Sequence, residues 1–110
     1  MNFAVEKKWH WTSHIENKMK QYGLSKQRVR RVFKSPDRKE TGIALDTIAV
    51  MQTVGSKKHP TEIWLMYQLT KTKKENTIKM ISAWRYPGTS PTGRLPEIPE
   101  DTLLELEKNQ

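Results

Sequence analysis

"TEIWLMYQL", residues 61–69, alternates as a β-strand does, yet it carries apolar side chains on both of its sides. One side presents Ile63, Leu65, Tyr67 and Leu69, and the other presents Trp64 and Met66. A strand that is apolar on both sides lies inside a sheet whose two faces are both covered. We expect helices on one face, and on the other either a further covering segment or an exposed apolar patch.

Two neighbouring stretches, "TIAVMQTV" (47–54) and "TIKMISAWR" (77–85), repeat the same two-residue period. The polar segments "GSKKHP" and "KTKKEN" separate them from the middle stretch. Connections this short join antiparallel neighbours, so the three stretches predict a meander. "RKETGIA" (38–44) is a candidate for an additional edge strand, and "VEKKWHW" (5–11) predicts a short first strand.

The segment "SHIENKMKQYG" predicts a first helix over residues 14–22. Ser13 is followed three residues later by Glu16, which fits a capping box at the start of this helix. Gly23 suits the left-handed position just beyond the end of a helix. The helix is therefore delimited at both ends by its own sequence.

The segment "LSKQRVRRVFKSP" predicts a second helix that follows the first after a very short turn. Ser25 can cap this helix, and Pro36 ends it. Its core-facing side chains are Val29, Val32 and Phe33. Because so short a connection makes the two helices neighbours, they form a helical hairpin. The sequence thus predicts an α+β fold, in which this hairpin packs on a three- or four-stranded antiparallel sheet.

The composition divides the chain into one domain, residues 1–86, and a C-terminal extension. Residues 87–99 hold four of the six prolines and predict an extended segment. Residues 100–110 open with "EDTLLELEK", which predicts a short helix with acids in its first turn. A helix this short needs support, so its leucines are expected to dock on the domain or on a partner. These are Leu103, Leu104 and Leu106.

The 110-residue chain carries a formal net charge of +8, and the charge is unevenly distributed. Residues 1–39 contain eleven Lys and Arg against three acids, whereas residues 86–110 contain two against five. Such a balance favours a polyanionic partner, nucleic acid first and an acidic protein second. The acidic end and the basic half could also attract each other and mask part of the basic face.

Several other classes of function are excluded or disfavoured. There is no cysteine, which excludes disulfides and thiolate metal sites. The glycines are scattered, and the histidines and acids lack metal-ligand spacing, so we expect neither a metal nor a cofactor. No stretch resembles a secretory leader or a membrane span, so the expected location is the cytoplasm, without a membrane partner.

The order of these features resembles the BrnT-type toxins, which are small basic proteins of the RelE/ParE-like fold and partners in bacterial toxin–antitoxin pairs. The resemblance is carried by "HIENKMKQYGLSKQRVRRVF", then "SPDR", "TEIWLMY" and "IKMISAW", and it covers residues 10–86. The chain is similar as well to a small uncharacterised domain family with a His…Met…Tyr-Gly-Leu-Ser helical opening. The resemblance implies metal-independent RNA cleavage and an acidic antitoxin-like partner.

RNA cleavage of this kind needs a base, cationic donors to the phosphorane and an acid for the leaving oxygen. Arg85 is the candidate donor to the phosphorane, because it follows "ISAW" and its planar fork suits phosphate. His14 is a candidate proton shuttle, with His10 as a second histidine, and Lys18 lies one helical turn after His14. The candidate nucleic-acid contacts are Lys20, Arg28, Arg30, Arg31, Lys34, Trp84 and Tyr86.

Each candidate also has a plain structural interpretation. A histidine in the first turn of a helix is more often solvated or packed than catalytic, and Arg85 can simply end a strand. Cations at helical spacing commonly form a wet face, and aromatic residues on strands are commonly core. Three functions therefore stay open: a toxin-like ribonuclease, a non-catalytic nucleic-acid-binding domain, and an interaction module for an acidic protein.

Overall fold

The computed structural model describes residues 7–42, 44, 46–71 and 76–108, and the fold is α+β, as the sequence predicts. The elements in chain order are β1 (Lys7–Trp11), α1 (Ser13–Tyr22), α2 (Lys26–Lys34), β2 (Arg38–Thr41), β3 (Thr47–Gly55), β4 (Pro60–Lys71), β5 (Asn76–Pro87) and α3 (Glu100–Lys108). Parts of the predicted strands 5–11 and 38–44, and most of the predicted turn 71–76, lie outside the described residues.

The five strands form one sheet in the order β1-β5-β4-β3-β2. Strands β2 to β5 pair antiparallel with their neighbours, as predicted, but β1 pairs parallel with β5, with Trp9 opposite Ile78. The predicted sheet of three or four antiparallel strands is therefore incomplete, because the sheet is mixed and has a fifth strand. The alternation in "KKWHW" shows that a strand forms, but it carries no information on the strand with which it pairs.

The two faces of the sheet are covered by different parts of the chain. Helices α1 and α2 cover one face, and the residues that follow β5 cover the other. We call residues 88–108 the C-terminal arm. Against the second face the arm places Leu95, Ile98 and Leu106, which pack on a cluster containing Trp64 and Trp84. The apolar second side of "TEIWLMYQL" is thus buried rather than left as a patch.

Helix α3 packs on the sheet through a narrow stripe of buried side chains. Thr102 and Leu106, four residues apart and hence on one helix face, are buried. Leu106 is docked on the domain, whereas Leu103 and Leu104 remain 38% and 53% exposed, so for these two docking on a partner stays a prediction. Adjacent positions on a helix face different directions, and only one of those directions meets the sheet.

Thr12 rather than Ser13 caps α1, so the predicted capping box was wrong, because the residue three positions after Thr12 is Ile15, which has no polar side chain to complete a box. The Thr12 hydroxyl accepts a hydrogen bond from the Ile15 backbone N–H at 3.1 Å. It also lies 3.0 Å from the carbonyl oxygen of Met80, to which it donates. This second bond links the start of α1 to β5, a contact between residues distant in sequence. The predicted cap of α2 is confirmed, since the Ser25 hydroxyl accepts from the Arg28 N–H at 3.0 Å.

A β-bulge in β5 determines which side chains face the helices. Met66 pairs with Ser82 and Tyr67 pairs with Met80, which leaves Ile81 as the extra residue. Beyond a bulge the alternation of the strand is inverted relative to its start. Met80 and Ala83 accordingly belong to the helix-side core, while Ile81 and Trp84 belong to the core beneath the arm.

A buried polar network attaches the arm to the sheet. Glu62 is 0% exposed and accepts hydrogen bonds from Trp64 Nε1 at 2.9 Å, from the Ser90 N–H at 3.0 Å and from the Ser90 hydroxyl at 2.5 Å. Arg38 donates to the Ser90 hydroxyl at 2.9 Å and to the Ser90 carbonyl at 3.1 Å. Its guanidinium also lies 5.1 Å from the Trp64 ring centroid. Among the described residues, Arg38 Nε is the one atom of this network without a hydrogen-bond partner; the other bonds fix one arrangement of the arm.

Candidate nucleic-acid interface

His14, a candidate proton shuttle, lies in a chain of hydroxyl groups beneath the arm. Its Nε2 is 3.1 Å from the Ser82 hydroxyl, which is 2.8 Å from the hydroxyl of Thr102 in α3. Burial lowers the pKa of His14 from its ordinary value of 6.5, and the nearby carboxylates of Glu105 and Asp101 oppose this shift only in part. The imidazole is therefore predominantly neutral at pH 7.

Lys18 is brought next to His14, one turn later on α1, but it is already paired. The residue is only 2% exposed, and its Nζ lies 3.0 Å from each carboxylate oxygen of Asp101. The same ammonium lies 4.9 Å from the centroid of the Tyr22 ring. Lys18 thus contacts α3 directly, whereas His14 is linked to that helix through the Ser82 hydroxyl.

Arg85 contacts the end of α1. Its Nε donates a hydrogen bond of 2.9 Å to the carbonyl oxygen of Tyr22, in the last turn of that helix. A cation at the C-terminus of a helix is stabilising, because the final carbonyl groups lack internal partners. The bulge makes this contact possible, since it turns Arg85 toward the helices, opposite Ile63. In this geometry Arg85 supports the helix in addition to any contact with a ligand.

Arg85, Trp84 and Tyr86 all line one groove between the end of β5 and the arm. This aromatic groove has a volume of about 820 Å³, and Tyr22 and residues 95–100 form the rest of its wall together with Leu103. Its size is that of a small-molecule or side-chain site. The structure therefore collects three of the predicted contact residues around one concave surface.

Trp84 differs from Tyr86 in its accessibility. Trp84 is 1% exposed and stacks on Trp64, with ring centroids 6.2 Å apart and planes 8° from parallel. Among the described residues, the buried Trp84 Nε1 finds no hydrogen-bond partner. Tyr86 is half-buried and keeps part of its ring at the groove surface. Only Tyr86 of the two is placed to stack on a base without rearrangement.

The second cluster of predicted contacts lies on α2, which contains five cations and no acid in the sequence "KQRVRRVFK". Arg28 is half-buried, whereas the other cations of α2 and Lys20 of α1 are exposed. Lys26 and Arg28 stand in the first turn, where positive charge opposes the helix dipole. The sequence therefore retains these charges at a cost to helix stability. The exposed cations are Lys20, Lys26, Arg30, Arg31 and Lys34.

Two tryptophans that the sequence interpretation left out of the site lie beneath these cations. The Arg30 guanidinium is 5.9 Å from the Trp9 ring and 5.5 Å from the Trp11 ring, and Lys26 Nζ is 5.2 Å from the Trp11 ring. The two indoles stack at 6.2 Å and are only partly buried. The available signal was the alternation of Trp with Lys8 and His10 in "KKWHW" next to a basic helix. We call Trp9, Trp11 and the exposed cations of α1 and α2 the basic surface.

The acidic end of the chain does not cover the basic surface. α3 packs in the core beneath the arm, whereas α2 packs in the core on the opposite face of the sheet. An ion pair between Lys18 and Asp101 links α3 to α1. On the basic surface, Lys26 Nζ lies 3.7 Å from a carboxylate oxygen of Glu16. Because this ion pair is exposed to solvent, it contributes little to stability.

Within the described ranges, no three His, Asp or Glu side chains are grouped so as to hold a metal ion. Nor does any helix in that part of the chain combine the length and apolarity needed to cross a membrane. Comparisons of the chain with protein-family models, with curated proteins and with solved structures yield no significant match.

Proposed function

We propose that the protein binds nucleic acid, with RNA as the primary ligand, through the basic surface. The observation that carries this proposal is the placement of Lys26 and Arg30 over the partly exposed rings of Trp9 and Trp11. Cations attract the phosphate backbone, and aromatic faces stack on bases, so the combination suits nucleic acid better than a charge patch alone does. The net charge of +8 adds long-range attraction for any polyanion.

The same proposal extends to the architecture. We propose that the hairpin of α1 and α2 on antiparallel strands reflects a RelE/BrnT-like arrangement, with β1 and the arm as additions to it. The order of a helical hairpin followed by β2 to β5 supports this. An acidic antitoxin-like protein would then bind the same cations as RNA does and compete with it.

The first prediction concerns the salt dependence of RNA binding. We expect the logarithm of the affinity to fall linearly with the logarithm of salt concentration, because bound cations release counterions from the RNA. The double variant Arg30→Ala/Arg31→Ala should bind more weakly, with a slope shallower by about 1 to 2 units. Fluorescence anisotropy of a labelled RNA, titrated at several salt concentrations, measures both effects.

The matched control is Arg94→Ala/Lys108→Ala, which removes the same charge from the arm on the opposite side of the sheet. Arg94 and Lys108 are both exposed. This control should retain the slope of the wild type. An affinity that is indifferent to ionic strength would contradict the proposal. An equal loss in the control would show that net charge alone accounts for the binding.

A second candidate function, metal-independent RNA cleavage, is favoured by one observation. His14 is neutral at pH 7, and Lys18 lies one turn away, so a base and a cation stand together. A neutral imidazole can take the proton of a 2′-hydroxyl while a cation stabilises the phosphorane. His14 is half-buried, but Lys18 is only 2% exposed and is paired with Asp101 of α3, so this activity would require the arm to move aside.

The second prediction is therefore that the purified chain cleaves RNA in the presence of a chelator. His14→Gln should reduce the rate by about 10²-fold or more, and Lys18→Met should lower it as well. Arg85 binds Tyr22 at the other end of α1 and is not part of this pair. The wild-type rate should be level above about pH 6.5 and fall as the pH falls through the lowered pKa of His14, because the protonated imidazole is no longer a base. His59→Gln, in an exposed loop, is the matched control. Absence of cleavage for every RNA tested, or a rate unchanged by His14→Gln, would exclude catalysis of this form.

A further inference from the structure

Two concave surfaces lie next to each other at the hairpin of α1 and α2, and the aromatic groove includes Tyr22 at the end of α1. A depression of about 540 Å³ beside β1 is lined by Trp9, Trp11, Glu16 and Lys26, among others. A second depression of about 330 Å³, between the two helices, is also lined by Glu16 and Lys26. The two therefore share part of their walls. The first includes the two tryptophans of the basic surface, and the second extends from Lys26 toward the C-terminal end of α1.

The second depression reaches the turn at the end of α1, next to a wall residue of the aromatic groove. Its wall includes Lys20 and Gly23, and Gly23 follows Tyr22, which lines the groove. Gly23 adopts a φ of 66° and carries no side chain, so no side chain rises from the turn between the helices at this position. A strand that follows the shared wall of the two depressions and passes over Gly23 would reach the aromatic groove at the end of β5, and we call this path the track.

The track has aromatic side chains at its two ends and cationic side chains between them. Aromatic rings stand at both ends, with Trp9 and Trp11 at one end and Tyr22 and Tyr86 at the other. The cations Lys26 and Lys20 stand between them. α1 spans ten residues, or about 15 Å, and this sets the scale of the separation between the two aromatic ends. A continuous charged path with aromatic platforms is the arrangement that binds a single strand.

The aromatic groove has the polarity of a base site rather than a phosphate site. Arg85 supplies hydrogen-bond donors on one wall, and the exposed carboxylates of Glu97 and Glu100 supply acceptors on the other. Carboxylates repel phosphate, but they accept from the ring N–H or amino groups of a base, while a guanidinium donates to its carbonyl or ring nitrogen. The flat, largely apolar body of a base fits against the Tyr86 ring.

We propose that this track binds one single strand of nucleic acid, with bases on the Trp9–Trp11 platform and in the aromatic groove, and with the backbone crossing Lys26 and Lys20. The inference rests on the proposed function and names the form of its ligand. A duplex does not satisfy the track, because its bases stack on each other and present no free faces. A duplex can therefore contact the cations of the track but cannot stack its bases on the aromatic rings.

The third prediction tests the track with fluorescein-labelled oligouridylates of about 4, 8 and 12 nucleotides and with a duplex of the longest one. Affinity should rise with length until the strand reaches both platforms, and the longest strand should bind at least about tenfold more tightly than the duplex. Tyr86→Ala should lower the affinity of the longest strand by about tenfold and leave the shortest strand and the duplex unchanged. Tyr86→Phe keeps the ring and should bind as the wild type does.

The outcomes separate this inference from the proposed function. If Arg30→Ala/Arg31→Ala weakens binding but the duplex binds as tightly as the strand, the track is refuted and the basic surface stands. If no oligonucleotide binds, both are refuted. Should Tyr86→Ala fail to fold by circular dichroism, the length series and the duplex comparison with wild-type protein still decide the question. A single-stranded DNA of the same length shows whether the track also accepts deoxyribose.

Discussion

Glu62→Ala is expected to lower the free energy of unfolding by about 3–5 kcal/mol, the range found when one member of a buried charged network is removed. Glu62 is fully buried and accepts three hydrogen bonds, from Trp64 and from two groups of Ser90. Its loss leaves those donors without an acceptor. It also leaves Arg38, whose side chain is 14% exposed, without the carboxylate 3.9 Å away. Urea unfolding followed by tryptophan fluorescence measures the change.

Two further variants make the Glu62 result specific. Glu97→Ala removes the same charge from an exposed position on the arm and should change stability by no more than about 0.5 kcal/mol. Glu62→Gln keeps the shape of the side chain and one acceptor oxygen. Its decrease in the free energy of unfolding should therefore lie between those of Glu97→Ala and Glu62→Ala. Arg38 keeps a second ion pair, since its Nε lies 3.0 Å from Glu40, so the loss in Glu62→Ala comes chiefly from the three donors left without an acceptor. A Glu62→Ala loss equal to that of Glu97→Ala would show that the network is not what holds the arm.

Asp101→Ala has the second largest expected effect, a decrease of about 2 kcal/mol in the free energy of unfolding. Lys18 is buried with a side-chain exposure of 3%, and Asp101 is its carboxylate partner at 3.0 Å. Removing the partner leaves an uncompensated buried ammonium, which is costly. Because Asp101 itself is 51% exposed, solvent screens part of the interaction, and the loss stays below that of a fully buried pair. Chemical denaturation again gives the value.

Glu100→Ala is the matched control for Asp101→Ala, since it removes an exposed acid from the same first turn of α3. It reports the helix-dipole contribution of such an acid, about 0.3–1 kcal/mol, without any effect on Lys18. Combining Asp101→Ala with Lys18→Met should recover most of the lost stability, because no buried charge then remains. A double variant as unstable as the single one would mean that the packing of α3, not the ion pair, is what Asp101 supports.

The local features of the fold were predictable because each is encoded within a few residues. The bounds of α2 and α3 and the meander of β3, β4 and β5 follow from period, caps and turn segments. The parallel pairing of β1 with β5 was not predictable, because its partner lies far along the chain and alternation does not identify a partner. The bulge at Ile81 was not predictable for the same reason, because only the pairing of β5 with Met66 and Tyr67 shows that Ile81 is an extra residue.

The candidate site was predictable as a set of residue types, but not as a geometry. The cations of α2 could be grouped by helical spacing alone. Arg85 could be identified as a candidate contact, but its bond to Tyr22 depends on the bulge and on how α1 lies across β5. Trp9 and Trp11 became part of the site only once their strand was placed at the sheet edge beside α2.

The position of β1 also affects how the chain assembles during synthesis. β1 is made before the other described strands, but β5, with which it pairs, begins about 65 residues after β1 ends. At roughly 5–20 residues per second, that delay is roughly 3–13 s. During this interval Trp9 and Trp11 cannot pair with β5, and the five-stranded sheet is completed only after β5 has been made. β1 is thus made before the other described strands but is among the last to be placed in the sheet.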